Sequence, residues 1–347
     1  MWASRRARHL ATGIFVLVLL CVVCVGLGWG QWRNLTSWAR AEDVHHRHTE
    51  RLLSIRQVVG TALGERPDGS PTIRVFTDRP SAAGVPANIE GVPVTVEVTG
   101  EFIALARWPV EPTKAAVRLS PTDRWPRPVP IGVSTGNEEE ISAGTITCRV
   151  TDGTEVYALS CNHVYALEND ASDNSRVLQP GRYDTRRYQV LDANVIGELY
   201  DFEPILFATK TSKPNNFIDA AIALSDDSLL SNTTPPDGYG TPGSLPFAAT
   251  TGLRVQKYGR TTRLTRGSVY AVNATVLVGY SSGQAQFVNQ IVVKGRGFIR
   301  AGDSGSLLVT DPGRAPVGLL FAGTSDGSYA IANRIDLVLD AFGVDIE

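Results

Sequence analysis

Gly302-Asp303-Ser304-Gly305-Ser306, set between Arg300-Ala301 and the apolar run Leu307-Leu308-Val309, decides how this chain is read. Glycines on either side of a serine let the backbone approach a substrate closely and let amide N–H groups converge on one point. A serine hydroxyl is a weak nucleophile until a base lies within hydrogen-bond reach, itself oriented by a third group. The same residues are also common in surface turns, so the partners decide the matter. Of the five histidines, His9, His45, His46 and His48 lie near the N-terminus, and only His163 lies in the body that holds Ser304.

The strand-like runs Thr145–Val150 and Glu155–Ser160 flank Asp152-Gly153, a hairpin signal. The second run delivers Cys161-Asn162-His163-Val164 at a strand end, where a side chain is held rigidly. Phe217-Ile218-Asp219-Ala220-Ala221-Ile222 places one carboxylate in an apolar run. A buried charge needs a partner, and a histidine N–H would serve. Strand-like runs follow at 268–278 and 287–293, then the buried strand Pro316–Gly323. A helical pattern returns over Ile335–Phe342. With 33 Gly, 20 Pro and 43% hydrophobic residues, the composition is that of a β-rich protein with many turns.

His163, Asp219 and Ser304 follow the order His…Asp…Ser, that of chymotrypsin-type enzymes. With Ala158-Leu159-Ser160-Cys161-Asn162-His163-Val164, Gly259-Arg260-Thr261-Thr262 and Gly302–Ser306, residues 131–347 resemble the trypsin/chymotrypsin superfamily. They are most similar in texture to its bacterial trypsin-like branch, akin to the plant narrow-leaf-type protease. The resemblance implies a mainly β body of two six-stranded β-barrels closed by a C-terminal helix. It implies His163 as general base, Asp219 as its orienter and Ser304 as nucleophile. The backbone N–H groups of Gly302 and Ser304 would form the oxyanion hole. Phe298, Phe321 and Gly323 would line the substrate pocket, and without a carboxylate at 298 the preference would be for small or apolar residues. The implied function is serine endopeptidase; a catalytically silent peptide- or partner-binding barrel module is the alternative. No cofactor or metal is implied, and the partner is a peptide or protein substrate.

This sequence departs from the family pattern at several positions. Ser306 replaces a glycine, Arg263 stands where the bacterial enzymes carry glycine, and Cys-Asn-His-Val lacks the usual disulfide beside the histidine. Ile131-Gly132-Val133 resembles the new N-terminus of zymogen-type relatives, but Pro130 disfavours cleavage there. With a two-residue turn at Asp152-Gly153, Cys148 faces Tyr157, too far from Cys161 for a bridge, which predicts two free buried thiols.

Ahead of the body, Arg5, Arg6 and Arg8 precede the uncharged Leu10–Trp29 stretch. About 20 apolar residues suffice to span a bilayer, and the arginines favour a cytoplasmic N-terminus. Residues 1–30 thus predict a transmembrane anchor or a cleaved signal peptide, with the protease domain extracytoplasmic and the membrane engaged through residues 10–29. Residues 31–50 read as a juxtamembrane stem, with Glu42, His45, His46 and His48 on a solvated helix face rather than a metal site. Residues 51–120 read as a small α+β domain, with a helical face over Leu52–Leu63 and strands at 72–76 and 92–98. Pro121–Pro130 reads as a linker. A formal charge of −2 gives no footprint for nucleic acid.

Overall fold

The computed structural model describes residues 29–80, 83–104 and 119–347. The Leu10–Trp29 span therefore lies, all but its last residue, outside the described residues. Among those described, no helix is long and apolar enough to cross a membrane. The described chain opens with helix α1 (Trp29–Leu53), then β1 (Val58–Glu65), β2 (Pro71–Thr77), β3 (Asn88–Ile89), β4 (Val92–Val98) and β5 (Phe102–Ala104). Next come β6 (Ser134–Asn137), β7 (Gly144–Thr145), β8 (Arg149–Thr151), β9 (Val156–Ser160) and the one-turn helix α2 (Asn162–Tyr165). They are followed by β10 (Arg176–Leu178), β11 (Val195–Phe202), β12 (Asn215–Asn216) and β13 (Ala221–Ser225). The last third holds β14 (Arg254–Gly259), β15 (Arg263–Gly279), β16 (Gln284–Lys294), β17 (Leu307–Thr310), β18 (Pro316–Gly323) and β19 (Tyr329–Arg334). Helix α3 (Ile335–Phe342) and β20 (Asp345–Ile346) close the chain.

Two rings of strands form the body. In the first, β8 pairs with β9, β9 with β13, β13 with β11, β11 with β10 and β10 with β6. β6 pairs in turn with β7. Residues 146–148 carry β7 into β8, because Ile146 bonds to Val133 while Thr147 and Cys148 bond to Leu159. Residues 144–151 thus act as one bent strand, and the sheet closes as a six-stranded barrel. In the second ring β14, β15, β16, β19, β18 and β17 pair in that order, and β17 returns to β14. Closure leaves neither ring a free edge. The β-branched and aliphatic residues that favour strands fill the interiors: Ile146, Leu159, Val177, Ile196 and Ile222 in the first, Val255, Val269, Ile291, Leu308 and Leu320 in the second.

The N-terminal strands do not stand apart from this body. β1 pairs with β15, so β1, β2, β4 and β3 extend the sheet of the second barrel. Helix α1 covers that extension, burying Ala41, Val44, Leu52 and Leu53 against Val58, Leu63, Ile73 and Val75. The strands expected at 72–76 and 92–98 form as β2 and β4. The helical face expected over Leu52–Leu63 forms only at Leu52 and Leu53, the end of α1. Gln57 adopts φ +79° and turns the chain, and Val58–Glu65 pairs on both sides as a strand. Its apolar spacing suits either structure, and long-range pairing decides. The expected linker is also corrected: Trp125 bonds to Gln179 and Ser120, and Val129 is buried and bridged to Leu230. These contacts hold 121–130 against the first barrel.

The stem reading fails at one histidine. His45 is buried, its Nε2 lying 2.9 Å from Thr61 Oγ1 on β1. Burial, reinforced by His46, lowers its pKa from 6.5 to about 4. The folded protein therefore holds His45 neutral while the unfolded chain protonates it near pH 6.5. Its contribution is full above pH 6.5 and is lost as the pH falls from 6.5 through 4, about 3 kcal/mol in all. Urea unfolding at pH 7 and pH 4 should show this loss, and His45→Gln should remove it from the difference between the two pH values.

Candidate active site

The hairpin at Asp152 sets the first element of the site. Asp152 Oδ1 accepts from Thr154 N and Glu155 N, both at 2.8 Å. The turn therefore spans four residues, with Thr151 opposite Val156, not the two expected from Asp152-Gly153. This moves the register, and Cys148 faces Leu159 rather than Tyr157. Both Cys148 and Cys161 are buried free thiols. β9 then hands the chain to α2, which carries His163.

His163 and Asp219 meet. Nδ1 lies 2.6 Å from Asp219 Oδ2, and the His163 amide donates to Oδ1 at 3.2 Å. A carboxylate at that distance makes Nδ1 the protonated nitrogen and leaves Nε2 as a lone pair. Nε2 is buried and has no hydrogen-bond partner among the described residues. Cys161 Sγ also lies close, within 4.8 Å of ligand atoms of both residues. Burial and then the charge of Asp219 push its thiol well above the usual range. Cys161 thus stays protonated and donates to the Leu320 carbonyl at 3.4 Å.

Sequence reasoning missed Tyr280, which lies just beyond β15. Its hydroxyl donates to Asp219 Oδ2 at 2.8 Å, and its ring meets the His163 ring edge-on at 5.9 Å. Phe207 and Phe287 pack on the same ring. Burial, followed by Asp219, raises the phenol pKa well above its ordinary value, so the phenol remains a donor. Asn333 on β19 accepts from the Asp219 amide at 3.0 Å and donates to Gln290 at 2.8 Å. The second barrel therefore holds the carboxylate that the first barrel supplies. Tyr280→Phe should leave Asp219 short of a donor, so the carboxylate holds the imidazolium proton more strongly. In the reaction proposed below, the acid limb of the pH–rate profile should move up; an unmoved limb would mean that Tyr280 only packs.

The turn around Ser304 is built on two glycines. Gly302 has φ +91° and Gly305 φ +97°. A Cβ on Gly305 would lie 2.0 Å from the Thr145 carbonyl. Ser306, in place of the family glycine, fits because its hydroxyl donates to Asp303 O at 2.6 Å. Thr145 ties the turn to the first barrel, its amide donating to Ser304 O at 2.8 Å and its hydroxyl to Gly302 O at 2.7 Å. The amides of Asp303, Gly305 and Ser306 bond to Arg300, Leu320 and Asp303 carbonyls. Among the described residues, those of Gly302 and Ser304 make no such bond.

Asp303 anchors the turn from below. Its carboxylate accepts from the Arg300, Thr261 and Thr262 amides at 2.9, 2.9 and 3.1 Å and from the Thr262 hydroxyl at 2.7 Å. Lys257 Nζ lies 3.2 Å away, and both side chains are fully buried. Burial lowers the Lys257 pKa while Asp303 pulls it back up. Ile131, which resembled a zymogen-type N-terminus, is buried in mid-chain with its amide on Thr233 O. Arg263 adopts φ +55°, the left-handed conformation that suits the glycine of the bacterial pattern, and pairs with Asp237 at 2.9 Å.

Ser304 itself does not bond to His163. Its hydroxyl donates to the Phe321 carbonyl at 3.1 Å. Ser304 and Asp219 are 0% exposed and His163 3%. Of the expected pocket residues, Phe298 is wholly buried among the second barrel's apolar side chains, Phe321 packs on Phe287 at 4.7 Å, and Gly323 pairs with Ile103.

No family model and no curated protein matches the chain. Among solved structures it is similar to a glutamic acid specific serine protease described as using a histidine triad in substrate binding, at 22% identity and a TM-score of 0.44, covering 63% of this chain and 100% of that one. It is similar to Nocardiopsis protease, at 17% identity and a TM-score of 0.45 over 63% and 100% of the two chains. Cellulomonas bogoriensis chymotrypsin matches at 17% identity and a TM-score of 0.43 over 62% and 97%. Two closed six-stranded barrels, one bearing His163 and Asp219 and the other Ser304, give this chain a trypsin/chymotrypsin-like fold.

Proposed function

We propose that this chain is a serine endopeptidase whose nucleophile is Ser304. The observation that carries the reading is the buried His163–Asp219 pair at 2.6 Å, which leaves Nε2 as a buried lone pair without a partner among the described residues. The reading requires the Ser304 hydroxyl to leave the Phe321 carbonyl and engage that lone pair. His163 would then take the proton as Oγ attacks a peptide carbonyl, and Asp219 would stabilise the imidazolium. The Gly302 and Ser304 amides would receive the oxyanion. His163 would protonate the leaving amine, and water would release the acyl group by the reverse sequence. Export of the body is part of the same proposal and rests on the sequence of residues 5–29 alone.

A peptide-binding module without turnover is the second reading. The Ser304–Phe321 hydrogen bond favours it, since the hydroxyl is not on its base. Digestion of a peptide library separates the two. The endopeptidase reading expects cleavage after small or apolar residues, abolished by Ser304→Ala, because Phe298 and Phe321 offer no counter-charge for a buried cation. A profile dominated by Arg or Lys would overturn the pocket assignment. Absence of cleavage, with peptide binding retained, would favour the silent module.

A further inference from the structure

β5 lies in a slot whose walls both lead to the site. On one side Ala104 and Ile103 pair antiparallel with Ala322 and Gly323 of β18. On the other, Phe102 and Ile103 pair parallel with Val278 and Gly279 of β15. The next residue after Gly279 is Tyr280, which holds Asp219, and the residue before Ala322 is Phe321, whose carbonyl holds the Ser304 hydroxyl. A strand edge beside a nucleophile is where an extended peptide binds, by completing the ladder. This chain fills that edge with its own residues.

The direction matters as much as the place. Each step from Ile103 to Ala104 moves back along β18, from Gly323 to Ala322 and so towards Phe321 and Ser304. A peptide lying there presents its C-terminal side to the nucleophile, as the acyl half of a substrate must. Phe102 is 1% exposed and meets Phe76 of β2 edge-on at 5.8 Å, which anchors the strand. The tether is short, because Thr99 and Gly100 are already bonded to Thr77 at the end of β2. A short tether gives the bound segment a high effective concentration. The burial of Ser304 and His163 accords with a filled cleft.

We propose that β5 is an intramolecular peptide ligand that occupies the acyl side of the cleft and holds the site closed. The external ligand that displaces it is an extended peptide with aromatic or aliphatic side chains, like the Phe-Ile-Ala it replaces. This inference rests on the endopeptidase reading, and the test separates the two. Ile103→Pro removes an amide and fixes φ inside a three-residue strand. Ile103→Asp is a second route should the proline variant fail to fold, circular dichroism being the check. Two quantities are measured on the full chain: binding of a fluorescent Gly-Glu-Phe-Ile-Ala peptide, and the rate at which a fluorophosphonate labels Ser304.

Opening the cleft should raise both by about tenfold or more, since apparent affinity scales with the open fraction. If peptide binding rises and Ser304 stays unlabelled, the occupancy stands and the endopeptidase reading falls. If folded variants bind the peptide and label no faster than a readily labelled wild type, the occupancy is overturned and the endopeptidase reading stands.

Discussion

Ser304→Ala or His163→Ala, placed in a chain whose cleft is opened by Ile103→Pro, should lower peptide turnover by about 10⁶, and Asp219→Asn by about 10⁴. In the mechanism proposed above the losses should not add, because there the three residues act as a unit: the hydroxyl is inert without the imidazole, and the imidazole needs Nδ1 held by Asp219 at 2.6 Å. Asparagine in place of Asp219 can present an N–H to Nδ1 and so favour the wrong tautomer. Initial rates on one apolar peptide, measured for single and double variants, check this. Additive losses would contradict a shared mechanism.

Lys257→Met should cost the fold about 3–5 kcal/mol, as removing one partner of a buried ion pair does. Methionine keeps the volume and leaves the Asp303 carboxylate charged and buried without its cation. The amides and hydroxyl of residues 261, 262 and 300 still donate to it, which places the cost nearer the lower figure. The urea midpoint measures it. In the proposed mechanism the consequence for chemistry is direct, because Asp303 precedes Ser304 and anchors the turn that carries the Gly302 and Ser304 amides. Asp303 is already partnered by Lys257, so this turn needs no freed N-terminus to form. Cleavage before Ile131 is therefore not expected to raise activity.

The parts of the site legible in the sequence are those set by local chemistry. Glycines around a serine permit the positive φ values seen at Gly302 and Gly305. A lone carboxylate in an apolar run demands a donor, and His163 is one of Asp219's donors. The C-terminal helix expected at Ile335–Phe342 forms over those residues because an amphipathic pattern needs only a core face beside it. What escaped the sequence is what distant pairing creates. Tyr280 reaches Asp219 across 61 positions, and nothing local marks one tyrosine among the 10 as a donor. Lys257 sits in a strand where a cation would ordinarily be read as solvent-facing. Val58–Glu65 has apolar spacing that fits a helix until β15 claims it as a strand. The three residues of β5 carry no signal of their own, and their meaning comes from β18.

The most direct test of the central claim is the chemistry of Ser304. An ordinary serine hydroxyl does not react with fluorophosphonates, whereas one with a base and an oxyanion hole does. The full chain, and the Ile103→Pro chain beside it, are exposed to the probe and mapped by peptide mass spectrometry. A single adduct on Ser304, absent after His163→Ala, is the expected result. A folded Ile103→Pro chain that carries no adduct on Ser304, or one that keeps it after His163→Ala, would contradict it.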